Sequence, residues 1–311
     1  MKKIYLIVIV CVFIILSQGC KEKDDLQKDP IKIDFTKTES DAFINDSEEV
    51  TPKEFKVAIS AIISPREGLK FYKDLIIYLE NKTGIPFQII QRKTYQEVNL
   101  MLRNNSVNLA FICSGAYVAE KKISEIEIIA VPQTNGKPFY QAYIIANKSS
   151  TVEKFEDFKG KSFAFTDPLS NTGKLYAIKR LNDIGYNEKD FFSKTIYSNA
   201  HDTSIQLVSK NIVDGASVDG LIFEYLKKHN SERVNDLKII EKSDYFGIPP
   251  IVVPSNLDSK LKSIIKSSLL SMHKDSIGKE ILNQLLIDKF IEGNDSNYDG
   301  IREMQNDLIH E

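Results

Sequence analysis

Ser162-Phe163-Ala164-Phe165-Thr166-Asp167-Pro168-Leu169-Ser170-Asn171-Thr172-Gly173 reads as a short apolar strand, a turn crowded with Pro, Ser, Asn and Thr, and the opening of a helix. The helix continues from Gly173 to Leu181. Thr195-Ile196-Tyr197 is the next strand, Ile205 to Ser209 the next helix, and Gly215-Ala216-Ser217-Val218 a third strand. Strand and helix in alternation predict a parallel sheet with helices on its faces.

The same order occurs earlier in the chain. Phe55-Lys56-Val57-Ala58-Ile59 is a strand ending at Ser64-Pro65, and Leu69 to Leu79 has apolar residues at helical spacing. Phe87-Gln88-Ile89-Ile90, Val98 to Leu102, and Leu109-Ala110-Phe111-Ile112 follow as strand, helix and strand. The two series superpose at a constant offset of 106 residues, with Val57 on Phe163, Leu75 on Leu181, Val107 on Val213 and Ala110 on Ala216. The expected fold class is α/β, with two similar doubly wound lobes. Phe139 to Ala146 is an extended segment suited to cross between them, and Asp244 to Val253 is the return crossing. The expected limits are 54–140 with 247–308 for lobe one and 141–246 for lobe two. Helical sequence from Leu257 to about Ile291 should pack back on lobe one.

Composition excludes several classes. Among 311 residues, 41 Lys and Arg oppose 43 Asp and Glu, so no basic excess exists to hold nucleic acid. Four His without close spacing offer no metal signature, and no glycine-rich phosphate loop is present. No cofactor is expected. Ser114, in Cys-Ser-Gly-Ala, lacks the Gly-x-Ser-x-Gly elbow of a Ser hydrolase.

The N-terminus departs from this balance. Met1-Lys2-Lys3 is basic, and Ile4 to Leu16 is an unbroken apolar run of 13 residues, shorter than the ~20 a membrane span needs. Ser17-Gln18-Gly19-Cys20 and the polar Lys21 to Asp25 follow. A small residue before a Cys at the end of an apolar run resembles a bacterial lipoprotein processing site, which implies cleavage of signal peptide 1–19 and lipid on Cys20. An ordinary cleaved signal or an uncleaved anchor is the alternative. From Cys20 onward 39 basic residues face 43 acidic ones, a net charge of −4. Residues 20–53, polar and without periodicity, are expected to tether the folded body. Only Cys113 then remains inside that body, so no internal disulfide is expected.

In open parallel α/β sheets ligands bind beyond the carboxyl ends of the strands. The offset pairs such positions across a cleft: Ser64 with Ser170, Tyr95 with His201, Cys113 with Asp219. Asp167 to Gly173 opens a helix, whose free N–H groups and positive dipole end suit an anion, with donors added by Ser170 and Thr172; plain N-capping accounts for the same residues. His201 can donate to an anion and carry charge near neutral pH, or can stand as a surface His beside a capping Asp202. Asp219 can receive an ammonium or hydroxyl, or cap the helix from Leu221 to Leu226.

Tyr140 to Ile145, Phe155 to Phe165, Asp167 to Gly173, His201-Asp202, Val213 to Ala216 and Ser114-Gly115-Ala116-Tyr117-Val118 together resemble the phosphate/phosphite/phosphonate-binding proteins of ABC importers, a branch of the type II periplasmic binding fold. The resemblance runs from about Phe55 to Tyr225. In that family a Ser-Thr-Ser-Gly loop holds the phosphonate oxygens; Ser170-Asn171-Thr172-Gly173 keeps two hydroxyls and changes one residue to Asn. It implies ligand binding at Ser170, Asn171, Thr172, Gly173, His201, Asp219, Tyr95 and Ser114. Together with the lipoprotein resemblance at Cys20, it implies a monomeric, lipid-anchored, extracytoplasmic protein that captures a small phosphorus oxyanion, closes by a hinge and delivers to an ABC permease. A sensory lipoprotein of the same fold signalling to a membrane kinase is the alternative. An enzyme with Ser170 or Ser114 as nucleophile and His201 as base is a third reading.

Overall fold

A computed structural model describes residues 55–307. The expected signal peptide, the tether and Cys20 lie outside the described residues. Strand β1 (Phe55–Ile59) leads to helix α1 (Pro65–Thr83), then β2 (Phe87–Gln91), α2 (Tyr95–Arg103), β3 (Leu109–Phe111) and α3 (Ser114–Lys121). Local chemistry sets these limits. Pro65 occupies the first turn of α1, where its missing N–H costs nothing, and Gly84 ends the helix in the left-handed region at φ 69°. Thr94 and Glu97 form a reciprocal capping box at the start of α2.

After β4 (Ile126–Gln133), the chain passes through β5 (Phe139–Tyr140) into β6 (Ala142–Asn147). The second series is β7 (Ser162–Phe165), α4 (Tyr176–Asp183), α5 (Glu188–Phe191), β8 (Lys194–Tyr197), α6 (His201–Ser209), β9 (Gly215–Asp219), α7 (Gly220–His229) and β10 (Leu237–Lys242). The chain closes with β11 (Phe246–Gly247), β12 (Ile251–Pro254), α8 (Ser259–Ser271), α9 (Ser276–Gln284), β13 (Lys289–Ile291) and α10 (Asp299–Asp307).

Two sheets result. One has the order β13-β4-β12-β3-β1-β2, the other β10-β6-β9-β7-β8. The offset of the sequence holds at the level of register. Val57 pairs with Ile89 and Leu109 in the first sheet, and Phe163 with Thr195 and Gly215 in the second, each partner 106 residues on. Asn105 and Asn211 both take the left-handed conformation at φ 53° and 54°. The Asn108 amide oxygen accepts from the Lys56 N–H, as Asp214 accepts from Ser162 N–H. The inner strands β1 and β7 are sandwiched by helices on both faces: Val57 packs in one buried cluster with Leu75 and Leu79, and Ala58 in another with Val98 and Leu102.

Several boundaries differ from expectation. The extended segment at 139–146 is broken at Gln141: Phe139–Tyr140 pairs with Phe246–Gly247 in a two-stranded ribbon, whereas Ala142–Asn147 is an interior strand of the second sheet. The helical stretch expected to reach Ile291 ends at Gln284, and Lys289–Ile291 instead adds an edge strand beside β4. Helices α8 and α9 pack on α1, as expected. The strands β4 and β10 had no counterpart in the sequence reading.

Candidate functional site

All six residues that the offset pairs stand at helix starts. Ser64, Cys113, Ser170 and Asp219 are the residues preceding a first turn, and Tyr95 and His201 are the first residues of α2 and α6. The two sheets meet across these starts through direct hydrogen bonds. Ser64 donates both its N–H (2.7 Å) and its hydroxyl (2.6 Å) to the Asp202 carboxylate. The Tyr95 N–H donates to Asp167 at 3.1 Å, and the His201 N–H to the Ile62 carbonyl at 3.0 Å. Arg233 also reaches Asp202, at 3.3 Å, so that buried carboxylate is paired from both sides. These bonds tie the two lobes together at the helix starts.

Between Ser170 and Tyr176 the backbone makes one wide turn, with the Tyr176 N–H donating to the Asn171 carbonyl five residues back. Ser170 Oγ accepts from the Gly173 N–H at 3.0 Å, an N-capping bond. A Cβ on Gly173 would stand 2.5 Å from Thr166, so only glycine permits this approach.

His201 is fully buried, and desolvation lowers its pKa to about 3. Burial thus disfavours the charge expected of this imidazole near neutral pH, while a neutral ring keeps one N–H to donate. Its Nδ1 accepts the Asp219 N–H at 3.0 Å, which leaves the ring proton on Nε2, 3.4 Å from Ser170 Oγ. His201 thus aligns two helix starts. A ring this hard to protonate is a poor general base, and the Ser114 hydroxyl is given to the Gly247 carbonyl at 2.7 Å. The enzyme reading loses its base.

Asp219 Oδ1 accepts from the Leu221 N–H at 2.7 Å, so it too caps its helix. Burial pushes its pKa up to about 7. Its other face lines a cavity of about 1150 Å³ that also touches Tyr140 and Tyr72. Cys113 is a free, buried thiol whose pKa burial raises to about 11, which makes it unreactive.

Four buried side-chain oxygens at these strand ends have no hydrogen-bond partner: Ser60 Oγ, Tyr95 Oη, Asn171 Oδ1 and Thr172 Oγ1. A buried polar group left unpaired costs about 1–3 kcal/mol, so four together point to a polar ligand. Ser60, Tyr95 and Thr172 are O–H donors, and burial keeps the Tyr95 phenol protonated. The Asn171 amide nitrogen donates to Tyr140 Oη at 3.3 Å; turning that amide over would let Tyr140 donate to Oδ1 and present the NH₂ instead. Three hydroxyls and an amide, drawn from both sheets, suit an oxyanion. Sequence reasoning reached Tyr95, Asn171 and Thr172 but missed Ser60 and Tyr140. The signal for Ser60 was available, because the offset places it on Thr166, and each follows the first strand of its series.

The chain belongs to a family of substrate-binding proteins: residues 57–298 match the family described as "ABC transporter, phosphonate, periplasmic substrate-binding protein". That is a family of binding proteins rather than of enzymes. Among individual relatives, the chain is 26% identical over 225 residues to the phosphate-import protein PhnD of Mycolicibacterium smegmatis, covering 69% of this chain and 64% of that one. It is 26% identical over 217 residues to the phosphonates-binding periplasmic protein of Escherichia coli, covering 67% and 62%. The match therefore spans a little under two thirds of each relative. Among solved structures, PhnD1 from Prochlorococcus marinus in complex with methylphosphonate has the same fold, with a TM-score of 0.75 at 20% identity over 82% of this chain and 98% of that one. No helix among the described residues is long and apolar enough to cross a membrane.

Proposed function

We propose that this protein is an extracytoplasmic, lipid-anchored, monomeric solute-binding protein that captures a phosphonate or related phosphorus oxyanion between its two lobes and delivers it to an ABC importer. The observation that carries the reading is the set of unpartnered buried donors Ser60, Tyr95 and Thr172 with the Asn171 amide. The names of the relatives, one a phosphate importer and one a phosphonate binder, support the same ligand class. In this reading the lobes are 54–140 with 247–308, and 141–246, and the ribbon of β5 and β11 is the hinge between them. The Ser64–Asp202 bonds hold the closed form, shutting the ligand away from water. Ser170, Gly173, His201 and Ser114 shape the site, Asn171 and Thr172 meet the oxyanion, and Asp219 faces whatever the phosphorus carries.

Isothermal titration with phosphate, phosphite, methylphosphonate, 2-aminoethylphosphonate and a sulfonate tests the ligand class. A phosphorus oxyanion should bind and the sulfonate should not; a sulfonate preference or no binding at all refutes it. The anchor is tested separately. Cys20→Ala should free the protein from the membrane fraction or leave residues 1–19 attached, and normal processing with unchanged membrane retention would sink the lipoprotein reading.

A further inference from the structure

The oxyanion donors account for little of the space between the lobes. A phosphonate head group fills about the volume of three waters, roughly 90 Å³, whereas the cavity that adjoins it at Tyr140 and Asp219 measures about 1150 Å³. Ser60, Tyr95, Asn171 and Thr172 do not line this cavity, so it is additional to the head-group site. Its buried walls are largely apolar and aromatic, while its exposed margin carries Lys137, Lys227, Lys228, Lys242 and Asp288. Tyr72 stands on the α1 side, Tyr143 on β6, and Ile222 and Tyr225 on α7. Phe71 and Tyr225 meet edge to face at 4.9 Å and join the two lobes over the cavity. Lys242 lies over the Tyr143 ring at 4.5 Å, which pins that ring in place as a wall. A cleft of this size with buried aromatic walls takes molecules far larger than a bare oxyanion.

We infer that the natural ligand is an organophosphonate with a large, carbon-rich substituent bearing a ring, whose head group sits at Asn171 and Thr172 and whose substituent passes Tyr140 and Asp219 to lie among Tyr72, Tyr143 and Tyr225. This rests on the proposed oxyanion site and names the ligand class that the site serves. Asp219 lines the cavity, and its N–H reaches His201, which lies beside Ser170. Because burial favours its neutral form, an uncharged carbon chain can pass it without meeting a full negative charge.

Titration calorimetry of the intact protein with methylphosphonate and with 2-phenylethylphosphonate, which share the head group and differ in the substituent, tests this. The phenylethyl compound should bind at least tenfold more tightly, with the more negative heat-capacity change that marks apolar burial. Tyr225→Ala, on the cavity wall and half-buried, should reduce that preference at least threefold. Equal affinities, or tighter binding of methylphosphonate, would overturn the inference while leaving the oxyanion site standing. If neither compound binds, the proposed function falls and the inference falls with it.

Discussion

The two lobes repeat one strand–helix series in the same register, yet their first helices open in opposite ways. In the first series the position after Ser64 is Pro65, which has no N–H to offer, and Glu67 adds an acid to the first turn. In the second, Asn171, Thr172 and Gly173 occupy the matching places, with no acid in the turn. Ser64 spends its hydroxyl on the opposite lobe, at Asp202, whereas Ser170 turns its own inward to cap Gly173. One helix start ties the lobes together, and the other is the start proposed to hold the anion. Duplicated frames separate fold from function: register and left-handed turns persist at both copies, and a few residues at the strand ends divide the labour.

That division can be attacked directly. Thr172→Asp, which brings an acid to the second helix start as Glu67 does to the first, should reduce oxyanion affinity by more than a hundredfold; like charges at this buried site repel strongly, and calorimetry reads the loss. Tyr95→Phe removes one lobe-one donor. A hydrogen bond to a charged group is worth about 1.5–3 kcal/mol, so affinity should fall by about tenfold or more. The melting temperature of the unliganded protein should hold or rise, since that hydroxyl has no partner. Ser64→Ala should leave the head-group donors intact and weaken binding only severalfold, through faster ligand release as the clasp loosens. A tenfold loss from Ser64→Ala with none from Tyr95→Phe would reverse the roles assigned to the two starts.

The smallest effect concerns pH and belongs to the second series. Buried neutral His201, with its pKa near 3 against an ordinary 6.5, refuses a proton that the unfolded chain accepts, so its contribution to stability is lost as pH falls from about 6.5 towards 3. Asp219 acts with the opposite sign. Its pKa near 7 against 3.8 makes its contribution present below about pH 4 and lost as pH rises to about 7. The two slopes oppose each other between about pH 4 and 6.5. His201→Gln should remove one of them, so that thermal melts of this variant show stability rising on acidification through that range. Their offset partners, Tyr95 and Cys113, are both pushed upward and contribute nothing there.

Much of this was legible in the chain because the relevant signals are local. Strand runs such as Phe55–Ile59, turn clusters such as Asp167–Gly173, and the 106-residue offset each lie within a short window or a fixed spacing. β4 was missed because Glu127 and Pro132 interrupt its apolar run; the strand is held by β12 and β13, which lie more than 100 residues away. The charge of His201 was misjudged for a related reason. A His beside Asp reads as a surface pair, and only packing against Thr166, Ser170 and Asp219 removes water from the ring. The clasp between Ser64 and Asp202, 138 residues apart, leaves no periodic trace at all.

The interleaving of the sheets also bears on how the molecule is built in time. All five strands of the second sheet come from the contiguous stretch 142–242, but the first sheet needs β12, at Ile251–Pro254, inserted between β3 and β4. As synthesis proceeds from the N-terminus, β1, β2 and β3 emerge first and must wait for a strand some 140 residues later, a long loop to close. The half encoded second can finish assembling first. The half encoded first is completed only when nearly the whole polypeptide is present, so a chain cut short before residue 251 would contain one self-sufficient sheet and one left open at its centre.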